Sequence, residues 1–200
     1  MNGPSRRIWL TGASSGIGAA LAEQLLQAGH RLAVSARRVE PLQALAARYP
    51  EQVLVVPGDL GDSQQVRAIG QRIALHWGAL DTLIINAGTC EYVEVVDFQA
   101  AMVERVLRAN LLSASYCIEV ALPLLRAGHQ PHLVGIGSSV TYLPLPRAEA
   151  YGASKAGLRY LLEALRIDLA AEGIDVTLVS PGFVDTPLTQ KNDFPMPLRW

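Results

Sequence analysis

The chain has little cysteine. Its two residues of this type, Cys90 and Cys117, form no CxxC or other metal-ligand spacing, so the pattern argues against both a disulfide scaffold and a metal site. Two reduced thiols suit a cytoplasmic protein, which is the expected location. A surplus of one charge is also missing. Lys plus Arg number 17 against 18 Asp plus Glu, a net of −1, so no global basic field exists to hold nucleic acid. No run approaches the roughly 18 apolar residues that a membrane helix requires. Residues 1–7 are polar and the next apolar stretch is broken at Gly12, so no leader peptide is expected.

What the chain does have is apolar content in an ordered pattern. Half of its 200 residues are hydrophobic, too many for a disordered polypeptide. At about 150 residues per domain the length points to one domain, residues 1–200. Short runs rich in Val, Ile and Leu recur at Ile8–Thr11, Arg31–Ser35, Val53–Pro57, Thr82–Ile85, His132–Ile136 and Ile174–Ser180. Most are apolar continuously, as strands buried on both faces are. Between them lie helical stripes. Ile17, Leu21 and Leu25 lead to Gly29; Leu42, Leu45 and Tyr49 lead to Pro50; Val66, Ile69 and Ile73 form a third. A long fourth runs from Val103 to Leu122, with Asp97 as its expected N-cap, and a fifth from Leu158 to Leu169 stops at Gly173. One helix per strand predicts an α/β fold with a parallel sheet covered on both faces.

The first strand runs into Gly12-Ala13-Ser14-Ser15-Gly16-Ile17-Gly18, and a helical stripe follows at once. Gly12 allows the tight turn, Gly16 a close backbone approach to a phosphate, and Gly18 close packing of helix on strand. The helix N-terminus then faces a pyrophosphate with its free N–H groups. In such a unit an acid at the end of the second strand binds the adenosine ribose and favours NAD(H). Here Ala36 stands there, followed by Arg37 and Arg38, whose guanidinium groups suit a 2′-phosphate. The expected cofactor is NADP(H), with NAD(H) second.

Thr11-Gly-x-x-x-Gly-x-Gly resembles the loop of the short-chain dehydrogenase/reductase family, and further motifs follow in that family's order. Tyr151-Gly-Ala-Ser-Lys155 places a phenol and an ammonium at i and i+4, on one helical face. A nearby cation lowers the phenol's pKa from about 10, giving a proton-transfer group useful near neutrality. Ser138 lies 13 residues before Tyr151, the family's serine-to-tyrosine spacing, and can donate to a substrate oxygen. Ser139 remains the alternative. Asn110, costly inside a helix, matches the family's asparagine that holds a water beside the catalytic lysine. The resemblance further implies cofactor contacts from Asp59-Leu60, from Asn86-Ala87-Gly88, and from Pro181, Gly182 and Thr186. It departs at Ile85, where the family usually has a second asparagine, and at Gly137, where it often has a serine.

The resemblance therefore implies a doubly wound Rossmann sheet in the order 3-2-1-4-5-6. It implies an oxidoreductase passing hydride between NADP(H) and a small carbonyl or alcohol, without a metal. The substrate walls are expected around Cys90–Val95, Tyr142–Arg147 and Phe183–Phe194, largely apolar with Arg147, Glu149 and Asp185 nearby, and the resemblance implies a homodimer or homotetramer through the fourth and fifth helices. The family normally continues into another helix and a seventh strand. Here residues 191–200, with Pro195 and Pro197, are expected to end the domain short of that strand. A cofactor-binding regulator without turnover stays open as the alternative to an enzyme.

Overall fold

The computed structural model describes residues 4–191. Six strands form one parallel sheet: β1 (Arg7–Thr11), β2 (Arg31–Ser35), β3 (Val53–Val55), β4 (Thr82–Ile85), β5 (His132–Ile136) and β6 (Asp175–Val179). Their spatial order is β3-β2-β1-β4-β5-β6, as the winding rule predicts. β3 stops earlier than the apolar run. Val56 N–H still bonds Val34 O at 3.0 Å and Gly58 N–H bonds Ala36 O at 3.1 Å, while Pro57, between them, falls on the open edge of the sheet, where no N–H is needed.

Six α-helices connect the strands: α1 (Gly16–Gln27), α2 (Glu40–Arg48), α3 (Ser63–Trp77), α4 (Ala100–Leu107), α5 (Ser113–Arg126) and α6 (Glu149–Ala170). Alternate strand residues feed two cores. Trp9, Ala33, Leu83 and Leu133 pack with α3, α5 and α6. Ile8, Leu10, Leu32, Val34 and Ile84 pack with α1 and α2 on the other face. Local signals explain the helix ends. Asp62 caps α3 by accepting from Gln64 N–H and Gln65 N–H, and Gly78 closes it in the left-handed region at φ +69°.

Two helical expectations are corrected. The buried residues of α1 are Gly18, Ala22 and Leu26, one position beyond the anticipated stripe. Leu21 and Leu25 pack against the core from the flank, partly buried, while Gly18 and Ala22 let the start of the helix approach the sheet. The long fourth helix starts at Ala100, not beside Asp97, which ends a short 3₁₀ turn at Val95–Asp97. Asp97 Oδ2 there accepts from Gln99 Nε2 at 2.9 Å, which occupies the cap oxygen. Between α4 and α5 the helix widens into a π turn, Arg108–Leu112, with Asn110 at its centre.

At the N-terminal end of the sheet, the core closes over an ion pair. Asp81 is 4% exposed. Its carboxylate accepts from Arg7 N–H at 2.8 Å, Arg7 Nη2 at 2.7 Å and His129 N–H at 2.8 Å. Burial alone would push the carboxyl up; the bonds from Arg7 and His129 and the Arg7 charge overcome it and hold the pKa at about 2. Both cysteines are free, and burial pushes the Cys117 thiol up to about 12, leaving it inert. No helix among the described residues is long and apolar enough to cross a membrane.

Because the folded pKa of Asp81 lies below the unfolded value of about 3.9, its stabilisation is complete at neutral pH and fades as pH falls from about 4 to 2. Asp81→Asn should cost about 3 kcal/mol at pH 7, as breaking a buried pair does. The difference from the parent protein in urea denaturation should shrink through that acid window; a constant difference from pH 7 to pH 2 would contradict the assignment.

Candidate functional site

Every motif picked out in the sequence lies at or beyond the C-terminal strand ends or on the helices that begin there. β1 leaves the sheet through Gly12, at φ +71°, whose N–H bonds Ser35 O at 2.8 Å. Gly18 faces that turn, and a Cβ on it would lie 2.2 Å from Gly12 O. Only a residue without a side chain permits α1 to start there. Ser15 precedes α1 without capping it by its side chain, and the first turn carries no acid. The first N–H groups of α1, with Ser14, Ser15, Gly16 and Ile17 around them, thus form an anion-seeking end. Thr186 folds over it, its Cβ 3.4 Å from where a Gly16 side chain would begin. Thr189 clamps that segment by accepting from Thr186 N–H at 3.0 Å and donating to Val184 O at 2.6 Å.

Arg37 and Arg38 are exposed just past β2. Arg38 Nη2 reaches Ser14 O at 3.4 Å, which draws the pair to the rim of the glycine loop. Asp59 makes a local turn, accepting from Gly61 N–H at 2.9 Å, while Leu60 is buried in the core and has only its backbone to offer a ligand. Asn86 is a stitch between strands: its Nδ2 donates to Thr11 O at 3.0 Å and Gly12 O at 3.2 Å. Thr11 Oγ1 in return accepts from Asn86 N–H at 2.9 Å and Ala87 N–H at 3.0 Å. These bonds hold the crevice despite Ile85. The buried Ser180 Oγ, beside Pro181 and Gly182, finds no partner among the described residues. A close-approach glycine turn, an uncapped helix end and an orphaned hydroxyl fit an oxygen-rich anionic ligand lying across these strand ends.

Next to this crevice opens a cavity of about 390 Å³. Val140, Leu145, Pro146, Phe183 and Leu188 supply apolar wall, and Ser138 and Tyr151 supply hydroxyls. Ser138 and Tyr151 line the same wall of the cavity, and the Ser138 hydroxyl acts to lower the pKa of the Tyr151 phenol. Ser138 Oγ also accepts from Val140 N–H at 3.3 Å; Ser139 is held instead through its backbone N–H, 2.9 Å from Pro181 O. Lys155 is 4% exposed, and its Nζ donates to Ile136 O at 2.7 Å. Burial pulls its ammonium down to about 8. Burial also pushes the Tyr151 phenol up, partly opposed by Ser138. This corrects the expectation of a lowered phenol: Lys155 Nζ lies 5.9 Å from the ring centroid and spends its bond on the Ile136 carbonyl.

Asn110 is fully buried, and the π turn aims its amide inward. Oδ1 accepts from Thr89 N–H at 2.7 Å; Nδ2 donates to Thr89 O at 2.9 Å and Ser154 Oγ at 2.8 Å. Ser154 Oγ donates to Tyr151 O at 2.7 Å. A Cβ on Gly88 would come within 3.1 Å of Asn110 Oδ1 and 3.5 Å of Lys155 Nζ, so the loop after β4 passes directly against both. The sequence reading missed Thr11, Ser154 and Ser180 as site-building residues. A hydroxyl at the end of an apolar strand, and one inside the Tyr-to-Lys helical turn, were the available signals.

The sequence profile of the short chain dehydrogenase family matches residues 6–195. An uncharacterized oxidoreductase of Mycobacterium tuberculosis is 34% identical over 193 residues, 94% of this chain and 76% of that protein. A short-chain dehydrogenase from Streptomyces avermitilis superposes with a TM-score of 0.87 at 29% identity, over 92% of this chain and 68% of that one. A Pseudomonas aeruginosa structure described as the RhlG/NADP active-site complex gives 0.87 at 32% identity, over 92% and 75%. Together with the parallel sheet and its strand order, these matches carry one conclusion: the chain is an oxidoreductase of the short-chain dehydrogenase/reductase family.

Proposed function

We propose that this enzyme uses NADP(H) to reduce the carbonyl group of a small, mainly apolar substrate. The observation that carries the reading is the Ser138–Tyr151 hydroxyl pair at the wall of an apolar cavity, with a buried lysine on the same helical face. When bound, the reduced nicotinamide supplies the hydride. Tyr151 gives its phenolic proton to the carbonyl oxygen, and Ser138 donates to that same oxygen and orients it. With its pKa raised by burial, the phenol carries its proton at neutral pH, the form that reduction requires. Lys155, its Nζ 5.9 Å from the Tyr151 ring centroid, would hold the nicotinamide ribose. Asn110 acts through Thr89 and Ser154, fixing the loop after β4 and the first turn of α6.

For the dinucleotide, Gly12, Ser14, Ser15, Gly16, Ile17 and Gly18 receive the pyrophosphate on the N-terminus of α1. Asp59 and the Leu60 backbone would hold the adenine, Asn86, Ala87 and Gly88 would support the ribose, and Pro181, Gly182 and Thr186 would hold the nicotinamide. Arg37 and Arg38 favour a 2′-phosphate, supported by the absence of an acid after β2 and by the exposed, outward setting of both. Tyr160 and Ile167, seven residues apart on α6 and both more than three-quarters exposed, support self-association into a dimer or tetramer.

Tyr151→Phe should lower NADPH-dependent aldehyde and ketone reduction by about 10²–10⁴-fold while NADPH still binds. Ser138→Ala should lose about 10²-fold, with Ser139→Ala near the parent rate. Tyr151→Phe at full turnover would reject the reading. A parent protein that binds NADPH and reduces nothing in a carbonyl panel would favour the regulator. Arg37→Ala should weaken NADPH binding about tenfold or more and leave NADH little changed, because a charge-assisted contact to the extra phosphate is lost; unchanged NADPH affinity counts against NADP(H) preference. At limiting NADPH, where kcat/KM reports the cofactor-free enzyme, activity should fall above pH about 8 as Lys155 loses its proton, and Lys155→Met should remove that limb.

A further inference from the structure

The segment that leaves β6 carries Thr186-Pro187-Leu188-Thr189 ahead of a 3₁₀ turn, Thr189–Lys191. A hydroxyl residue followed by proline is a common way to start a helical turn: the hydroxyl caps and the proline fixes the next φ. Here the cap is reciprocal. Thr186 Oγ1 accepts from Thr189 N–H at 3.3 Å, and Thr189 Oγ1 accepts from Thr186 N–H at 3.0 Å. Such a box ordinarily closes with a glutamate or glutamine that reaches back. Threonine closes it with a hydroxyl, which has a proton of its own to place. That proton goes to Val184 O at 2.6 Å, nearer than Thr186 O at 3.1 Å. Gln190 N–H then bonds Thr186 O at 2.9 Å. The turn stands between two sites. Thr186 packs on Gly16 of the glycine loop, and Leu188 and Thr189 line the apolar cavity.

We propose that Thr189 is a positioning residue for the nicotinamide end of the cofactor: it holds the Thr186 hydroxyl as a donor to the carboxamide oxygen. The inference rests on the dinucleotide reading of the crevice. With its proton on Val184 O, Thr189 Oγ1 meets Thr186 as an acceptor. Thr189 N–H occupies a lone pair of Thr186 Oγ1. What Thr186 has left to give is its proton. Among the described residues the acceptor for it is Thr189 Oγ1 at 3.2 Å, longer than the roughly 2.7–2.8 Å usual between hydroxyls. A ligand carbonyl that takes this proton replaces a long hydrogen bond with a normal one. Thr186 is β-branched and has few rotamers, so fixing its N–H and its Oγ1 together fixes the direction of that donor. Loss of the Thr189 hydroxyl would release Thr186 N–H and Val184 O at once. The same turn supplies Leu188 and Thr189 to the cavity, so the cofactor end and the substrate wall share one support.

The test is calorimetric binding of NADPH and of 2′-phospho-ADP-ribose, which has no nicotinamide. Thr189→Val keeps the side-chain shape and removes the hydroxyl. It should weaken NADPH about fivefold or more and leave 2′-phospho-ADP-ribose within about twofold of the parent affinity. Thr189→Ser, which retains the hydroxyl, should bind NADPH about as the parent does. Thr189→Val added to Thr186→Val should weaken NADPH no further, because the hydroxyl being positioned is already gone. An unchanged NADPH affinity in Thr189→Val overturns the proposal. So does equal weakening of both ligands, which marks general damage to the loop, and so does an additive double variant or a Thr189→Ser protein as weak as Thr189→Val. A parent protein that binds 2′-phospho-ADP-ribose as tightly as NADPH also overturns it, while the cofactor reading stands. If NADH is the tighter ligand, only the NADP(H) preference fails, and NADH against ADP-ribose gives the same comparison. A parent protein that binds neither dinucleotide defeats the cofactor reading and the inference with it.

Discussion

The stitch between the ends of β1 and β4 is the contact on which the rest of the site depends. Thr11 Oγ1 takes the N–H groups of Asn86 and Ala87, and Asn86 Nδ2 returns bonds to Thr11 O and Gly12 O. β1 is also the strand where the winding reverses, with β2 on one side and β4 on the other. Crevices open at such a switch point because the connecting helices depart to opposite faces. Asn86 Nδ2 would also lie 2.5 Å from a Cβ on Gly18. One amide thus sets the spacing of two strand ends and the start of α1 at once.

A second constraint is the burial of Lys155. An ammonium this far from water has to be compensated, and here a strand carbonyl does so, at Ile136 O. That bond ties α6 to the end of β5. The Asn110–Ser154–Tyr151 carbonyl chain ties the same helix to the π turn. The phenol is therefore positioned by two independent polar attachments, and its orientation does not rely on apolar packing alone.

Much of this was legible beforehand, because the central strands β1, β2 and β4 are buried along nearly their whole length and stand out as apolar runs. The strand order then followed from winding rules and the motifs from their places at strand ends. What escaped has physical causes. Helix α1 packs through Gly18 and Ala22, so its contact face carries less apolar bulk than its flanks, and the hydrophobic stripe pointed slightly aside. Asp97 had the right chemistry for a cap, but Gln99 held its oxygen. Asn110 was recognised as costly in an α-helix, yet nothing in its spacing revealed a π turn that removes the conflict. The behaviour of Tyr151 turned on depth: proximity to lysine was readable from i and i+4, and desolvation was not. Reading of the segment from residue 192 onward, including Phe194 and the two prolines, lies outside the described residues.

The Asp81 cluster and the hydroxyl pair occupy opposite ends of the sheet, with the Arg7–Asp81 anchor where the strands begin and the Ser138–Tyr151 pair where they finish. In many enzymes the groups that strain the catalytic site also weaken the fold, so gains in robustness are taken from activity. Here the two functions are separated along the strand axis by a fully packed interior. Natural variation at the opening pole can therefore tune thermal endurance, and variation in the loops of the closing pole can retune substrate choice, with little interference between them.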